Sequence, residues 1–323
     1  MRRRWQRLLG GRGVLISLLL VPLSLGSQDG PNSRLLGGRE PLLRVDVDLV
    51  LVNVTVTDPY NRLVTGLGKE HFELLEDKMS QEILHFSSED VPLSLGIVFD
   101  LSGSMKHGGK LKRASQAAVE FLKTANPQDE FFIVAFSDAP KIVTGFTSSV
   151  QDIQNSLLTA RAEGRTALLD ALYLSLNTMR EANNPKKAIL VISDGGDNHS
   201  RYTPRNIKAA VRESDVQVYA IGIFDPISSR GAPELVWGPS LLKDIAEMTG
   251  GRLFAIELYN LSDLPDVAAK ISIELRNQYV IGYRPTNVRR DGGWRKIQVK
   301  INAPKGLPPL NVFTRSGYYA PSQ

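Results

Sequence analysis

A chain of 323 residues, 42% hydrophobic and 23% charged, is long enough for one large domain or two ordinary ones with a true core. That composition excludes a disordered or fibrous chain, and no low-complexity stretch or repeat of solenoid or propeller period interrupts it. The formal charge of +5 does not point to nucleic acid, because five arginines and no acid precede residue 27, the remainder is balanced, and no basic patch interleaved with aromatics follows.

Those arginines (Arg2, Arg3, Arg4, Arg7 and Arg12) stand before an uncharged apolar run from Val14 to Leu25. This is the charged start and short apolar stretch of a secretory signal, with Ser24 and Gly26 spaced for cleavage. Residues 1–26 are therefore read as a signal peptide that sends the chain to the periplasm or cell surface. The run falls short of the roughly 20 apolar residues of a spanning helix, and no later stretch is long and apolar enough, so no membrane span is expected after cleavage. The absence of cysteine leaves no disulfide, thiolate metal site or lipid-modified cysteine, and fits bacterial export.

Residues 27–42 read as a flexible lead-in. From Val45 the pattern has period two, with Val45, Val47, Leu49 and Leu51 alternating before Val52, Val54 and Val56 take over, which predicts a half-buried strand with a bulge. Asp58-Pro59-Tyr60-Asn61 is a turn, and short runs around Phe72, Leu74, Ile83, Leu84 and Phe86 complete a β-rich segment over 43–90. From Pro92 continuous apolar runs alternate with helical patterns. Strands are predicted at Leu93–Phe99, Phe131–Phe136, Ala188–Ile192, Val216–Ile223 and Leu253–Ile256. The intervening helices are predicted near Gly109–Thr124, Thr166–Arg180, Pro204–Glu213, Ser240–Thr249 and Leu264–Asn277. Such alternation predicts an α/β, doubly wound, mostly parallel sheet over 91–277. Alternation returns at Ile297, Val299 and Ile301, after Asp291-Gly292-Gly293, which reads as a hairpin turn. Residues 278–323 and 43–90 each hold too few strands to bury a face, so a single small β-sandwich built from both is expected.

Ligands of doubly wound sheets sit beyond the carboxyl ends of strands. Asp100, Ser102 and Ser104 follow the strand ending at Phe99, and Asp194 follows the strand ending at Ile192. Thr166 opens the second helix, where its hydroxyl serves as N-cap or as ligand. Two carboxylates and three hydroxyls are hard donors without His or Cys, which favours Mg²⁺ or Mn²⁺ over zinc or copper. Octahedral geometry leaves a position for an outside carboxylate.

Asp100-Leu101-Ser102-Gly103-Ser104, Thr166 in Gly164-Arg165-Thr166-Ala167-Leu168, and Ser193-Asp194-Gly195 together resemble the metal-ion-dependent adhesion site of von Willebrand factor A (VWFA) domains. The resemblance covers residues 92 to about 275. The flanks, including Phe72-Glu73-Leu74-Leu75-Glu76-Asp77 and Arg315-Ser316-Gly317-Tyr318-Tyr319, are similar to a bacterial family of exported VWFA-related proteins. The resemblance implies the VWFA fold, a Mg²⁺ or Mn²⁺ ion, and a protein partner offering an Asp or Glu carboxylate. Arg165 replaces the commoner glycine before the threonine. With His107 and His199 on loops expected to converge at the metal, it is a candidate partner contact.

One further acid and one aromatic are weighed against plainer roles. Asp197 reads as a solvated loop acid, and Trp237, in the Pro/Gly-rich loop Ile227–Pro239, as packing over the sheet edge. A binding module without catalysis is the leading expectation. The alternatives are a metal-stabilised structural subunit of an envelope complex, or a metal-dependent phosphoester hydrolase. Against the last, an aspartyl-phosphate enzyme needs a second carboxylate two residues after its nucleophile, and Ser102 occupies that position.

Overall fold

The computed structural model describes residues 49–224 and 233–322, with no account of the side chains of 233–237. Residues 1–42, read from sequence as a signal peptide and lead-in, lie outside the described residues, as do Val45 and Val47. The described residues form one compact unit.

Strands β1 (Val50–Thr57), β2 (Phe72–Glu76), β3 (Met79–Gln81) and β4 (Ile83–Ser87) come first. The α/β region follows as β5 (Leu93–Asp100), α1 (Lys110–Leu122), β6 (Glu130–Phe136), β7 (Pro140–Thr147), α2 (Val150–Leu158) and α3 (Leu168–Thr178). It continues as β8 (Lys186–Ser193), α4 (Pro204–Glu213), β9 (Gln217–Phe224), α5 (Pro233–Met248), β10 (Leu253–Glu257) and α6 (Leu264–Arg276). The chain closes with β11 (Tyr279–Tyr283), β12 (Trp294–Ile301), β13 (Asn311–Thr314) and β14 (Gly317–Tyr319).

The central sheet has the order β10-β9-β8-β5-β6-β7, parallel except for β7. Its strands read as unbroken apolar runs because both faces are covered. On one face Leu95, Ile97 and Phe99 pack with Ala114, Phe121, Leu264 and Ile271 of α1 and α6. On the other, Val98, Phe132 and Val191 pack with Leu168, Leu172, Ile207 and Leu242 of α3, α4 and α5. The chain leaves β5 toward β6 and leaves β8 toward β9, so these adjacent strands lead away in opposite directions. Their carboxyl ends flank the crevice where such sheets bind ligands.

The flanking segments form two antiparallel sheets, β13-β1-β11-β4 and β14-β12-β2-β3. Val52, Val54, Phe72, Leu74, Tyr279, Ile281, Ile297 and Val299 fill the space between them. Neither flank supplies a full sheet by itself, so this core forms only when both ends of the chain meet.

Several local expectations differ from the structure. β1 runs against β11 without a register break from Val50 to Val54, and Leu49 and Leu51 are simply the outward residues. β7 and α2, an antiparallel edge hairpin and a short helix, were not anticipated, because β7 is half exposed and its alternation is weak. Asp291-Gly292-Gly293 does not join paired strands: β11 and β12 lie in different sheets, and the Gly293 N–H donates to Asp291 Oδ1 at 2.8 Å. Trp237 lies within α5 rather than a loop, with its side chain outside the described residues, and 225–232 lie outside them also.

Polar contacts tie the sandwich to the α/β region. Arg252 Nη1 donates to Glu274 Oε1 at 2.5 Å and its Nη2 to Asn61 Oδ1 at 2.8 Å. Gln278 donates to Thr55 Oγ1 at 3.0 Å and to the Tyr219 hydroxyl at 3.3 Å. Within the sandwich, Glu76 is buried and accepts from the hydroxyls of Tyr283 at 2.7 Å and Tyr318 at 2.9 Å, which joins the two sheets.

Candidate functional site

The loop after β5 begins with an Asx turn. Asp100 Oδ1 accepts from the Ser102 N–H at 2.8 Å, which folds the chain back so that Ser102 and Ser104 share a hydrogen bond at 3.0 Å. The 3-10 segment Gly103–Gly109 then leads into α1. The neighbouring loop after β8 is joined to this one directly, because Ser193 Oγ donates to Asp100 Oδ2 at 2.5 Å and accepts from the Gly195 N–H at 3.0 Å. Gly195 has φ +82°, a left-handed conformation that favours glycine, and the chain turns there immediately after Asp194. A Cβ added to Gly238 would fall 2.0 Å from the Gly195 carbonyl oxygen, so α5 presses on the back of this turn.

The third loop is laced to the first by backbone. The Gly103 N–H donates to Gly164 O at 2.9 Å and the Glu163 N–H to Leu101 O at 2.7 Å. Thr166 is held from the other side: its N–H donates to Asn198 Oδ1, and its carbonyl accepts from the Asn198 and His199 N–H groups, all at 3.0 Å. The N-cap of α3 is Ala167 with no side-chain cap, so Thr166 is not the capping residue that its position suggested. The acceptor at the start of α3 is Asp197, which takes the Leu169 N–H at 3.4 Å and the Ser200 hydroxyl at 2.6 Å. Asp197 is thus half-buried, not a solvated loop acid, and burial holds its carboxyl above the usual range.

Asp100, Ser102, Thr166 and Asp194 are all buried, and Ser104 is half-buried. Burial pushes the Asp100 carboxyl up to about 7, the charge of Asp194 adds to the rise, and hydrogen bonds from Ser102 and Ser193 oppose it. Two carboxylates therefore share one desolvated pocket, an arrangement that favours an added positive charge. Asp194 Oδ1 is buried without a hydrogen-bond partner among the described residues, while Oδ2 lies 3.3 Å from Lys110 Nζ. A buried carboxylate oxygen left without a donor is expensive unless something outside the protein completes it. With the adjacent hydroxyls, this donor set suits a hard divalent cation. No group of three or more His, Cys, Asp or Glu side chains suited to a metal occurs among the described residues, so hydroxyls would have to supply the remaining ligands.

At the rim, Arg165 and His199 are exposed and meet, with Arg165 Nη1 3.2 Å from His199 Nδ1. The Arg165 backbone is steadied by Asp138, whose Oδ1 accepts its N–H at 2.9 Å. His107 is exposed on the 3-10 segment, and its side chain makes no hydrogen bond among the described residues. Lys110 and Ser193 were not singled out from sequence. The sequence showed only a lysine at the start of a predicted helix, where it opposes the macrodipole; its burial, which requires the acidic neighbour, is a product of the fold.

Residues 95–196 match the family described as von Willebrand factor type A domain. Among characterised proteins, the chain is 26% identical over 147 residues to inter-alpha-trypsin inhibitor heavy chain H4 of Bos taurus, covering 41% of this chain and 16% of that protein. It is 29% identical over 145 residues to inter alpha-trypsin inhibitor, heavy chain 4, of Mus musculus, covering 40% of this chain and 15% of that one. The chain thus matches only about a sixth of these relatives' length. Similar solved structures include BatB from Bacteroides thetaiotaomicron, with TM-score 0.46 and 17% identity over 56% of this chain and 98% of that one. The vWF domain of the type V pili tip protein Mfa5 from Porphyromonas gingivalis is similar with TM-score 0.46 and 14% identity, over 58% of this chain and 97% of that one. The match spans β5 to β8 of the six-stranded, mostly parallel sheet, so residues 95–196 carry a fold of the von Willebrand factor type A kind.

Proposed function

We propose that this protein is an exported, non-enzymatic interaction module whose VWFA domain binds Mg²⁺ or Mn²⁺ through Asp100, Ser102, Ser104, Thr166 and Asp194. The bound ion would supply an electrophilic centre for an Asp or Glu carboxylate of a protein partner. The observation that carries this reading is Asp194 Oδ1, buried without a donor beside a second buried carboxylate at the end of β5. The serine hydroxyls are neutral, so the carboxylates do not overcompensate a dication. The exposed Arg165–His199 pair lies where it could meet the same partner. The position two residues after Asp100 is a serine, which leaves the site without the second acid that an aspartyl-phosphate enzyme requires. Export rests on the arginine-rich, then apolar, start of the chain.

Calorimetric titration of Mg²⁺ and Mn²⁺ into the purified protein and into Asp100→Ala tests this. Saturable binding that is lost in the variant is expected. Wild-type binding that persists unchanged in Asp100→Ala would overturn it.

A further inference from the structure

Lys110 stands beside this site with no role in the reading above. It is the first residue of α1, and its side chain is 7% exposed against 3% for its partner Asp194. Gly108 and Gly109 precede it with φ of +63° and +76°. Two successive left-handed residues swing the chain inward, so the side chain enters the pocket instead of solvent. The position is electrostatically poor for a cation, since the helix N-terminus carries partial positive charge. Burial adds a further desolvation cost. The ion pair with Asp194 offsets both.

The contact is also one-sided. The ammonium takes Asp194 Oδ2 at 3.3 Å and leaves Oδ1 without a partner. A lysine serving only to neutralise the aspartate could sit between both oxygens. Here it holds the carboxylate by one oxygen and leaves the other buried and unpartnered, beside a second buried carboxylate at Asp100.

We propose that Lys110 is a resident counter-charge of the metal site, which stands in for the cation when none is bound and weakens the cation's binding when one is. This rests on the reading of Asp100 and Asp194 as ligands. Its consequence concerns the class of ligand. With two carboxylates balancing a dication, the ammonium leaves the loaded site net positive, so an anionic group is favoured over a neutral one. An ammonium held beside the carboxylates repels a dication bound to them, even at an effective dielectric near 20. Most of that repulsion is relieved by solvent and side-chain adjustment, and on the order of a tenfold or greater change in cation affinity remains.

The test is Mn²⁺ titration by calorimetry, with thermal melts in EDTA, on wild type, Lys110→Met, Lys110→Gln, Lys110→Arg, Lys112→Met and Asp100→Ala. Met removes the charge at similar length, and Gln removes it while keeping a donor for Asp194 Oδ2, which guards against loss of folding. Lys112 is exposed on the same helix and controls for a general charge effect. Lys110→Met and Lys110→Gln should bind Mn²⁺ at least about tenfold more tightly and melt lower in EDTA, while Lys110→Arg and Lys112→Met stay close to wild type. Unchanged or weaker Mn²⁺ binding in both neutral variants would overturn the inference while leaving the metal site standing. Wild-type protein without saturable, Asp100-dependent binding would remove the metal site and this inference with it.

Discussion

Replacing Asp100 with Asn should make the metal-free protein more stable. Asp100 is fully buried, and its carboxyl is pushed from an ordinary 3.8 up to about 7 by burial and by Asp194. At pH 8 it is nonetheless ionised, so the folded state carries the full penalty of that shift, up to roughly 4 kcal/mol at about 1.4 kcal/mol per unit. Asparagine keeps an acceptor for the Ser102 N–H and fills the same volume, but it brings no charge. A net gain of about 2 kcal/mol is expected after the altered contact with Ser193 Oγ is allowed for. For a unit of this size that is a rise of roughly 4–8 °C in melting temperature. Melts in EDTA measure it directly. In Mn²⁺ at about 100 times its dissociation constant, wild type should recover roughly 2.7 kcal/mol through linkage, and the variant nothing. The difference between the proteins should then close or invert. If Asp100→Asn melts below wild type in EDTA, the carboxylate pair is not a stored electrostatic cost, and this account of the site is wrong.

Two further predictions concern the scaffold. Lys186 is buried, and burial lowers its amine from 10.5 to about 8, with Arg276 acting in the same direction and Asp90 and Asp129 against it. Between those two values the unfolded chain binds the extra proton, so the contribution of Lys186 to stability rises with pH through about 8. Relative to Lys186→Met, wild type should gain about 1 kcal/mol between about pH 7 and pH 9 in urea denaturation, and a flat difference would contradict the burial argument. Glu76→Ala removes the acceptor shared by the buried Tyr283 hydroxyl and the half-buried Tyr318 hydroxyl, and about 2 kcal/mol should be lost in the same assay. Glu76→Gln keeps an acceptor and should lose less than half of that.

Much of this architecture is legible along the chain because it is written in local patterns. The strands of the central sheet are unbroken apolar runs such as Leu93–Asp100 and Lys186–Ser193, and burial on both faces requires that. The carboxyl ends of such strands are where ligands bind, so Asp100 and Asp194 could be chosen before any contact was known. The half-exposed edge strand β7 was invisible for the converse reason: its solvent side relaxes the pattern. Asp291-Gly292-Gly293 showed its turn but not which strands it would join, because pairing partners are a long-range choice.

What the sequence by itself determined is therefore the set of elements, their two-sided burial and the strand ends that carry acids and hydroxyls. Only the tertiary structure decided that Lys110 reaches Asp194 across 84 positions, that it occupies one carboxylate oxygen and leaves the other, and that Ser193 ties Asp100 to the loop after β8. The physical reason is that periodicity reports which face of an element is buried, whereas a charge's partner depends on how three loops from distant parts of the chain are laced together.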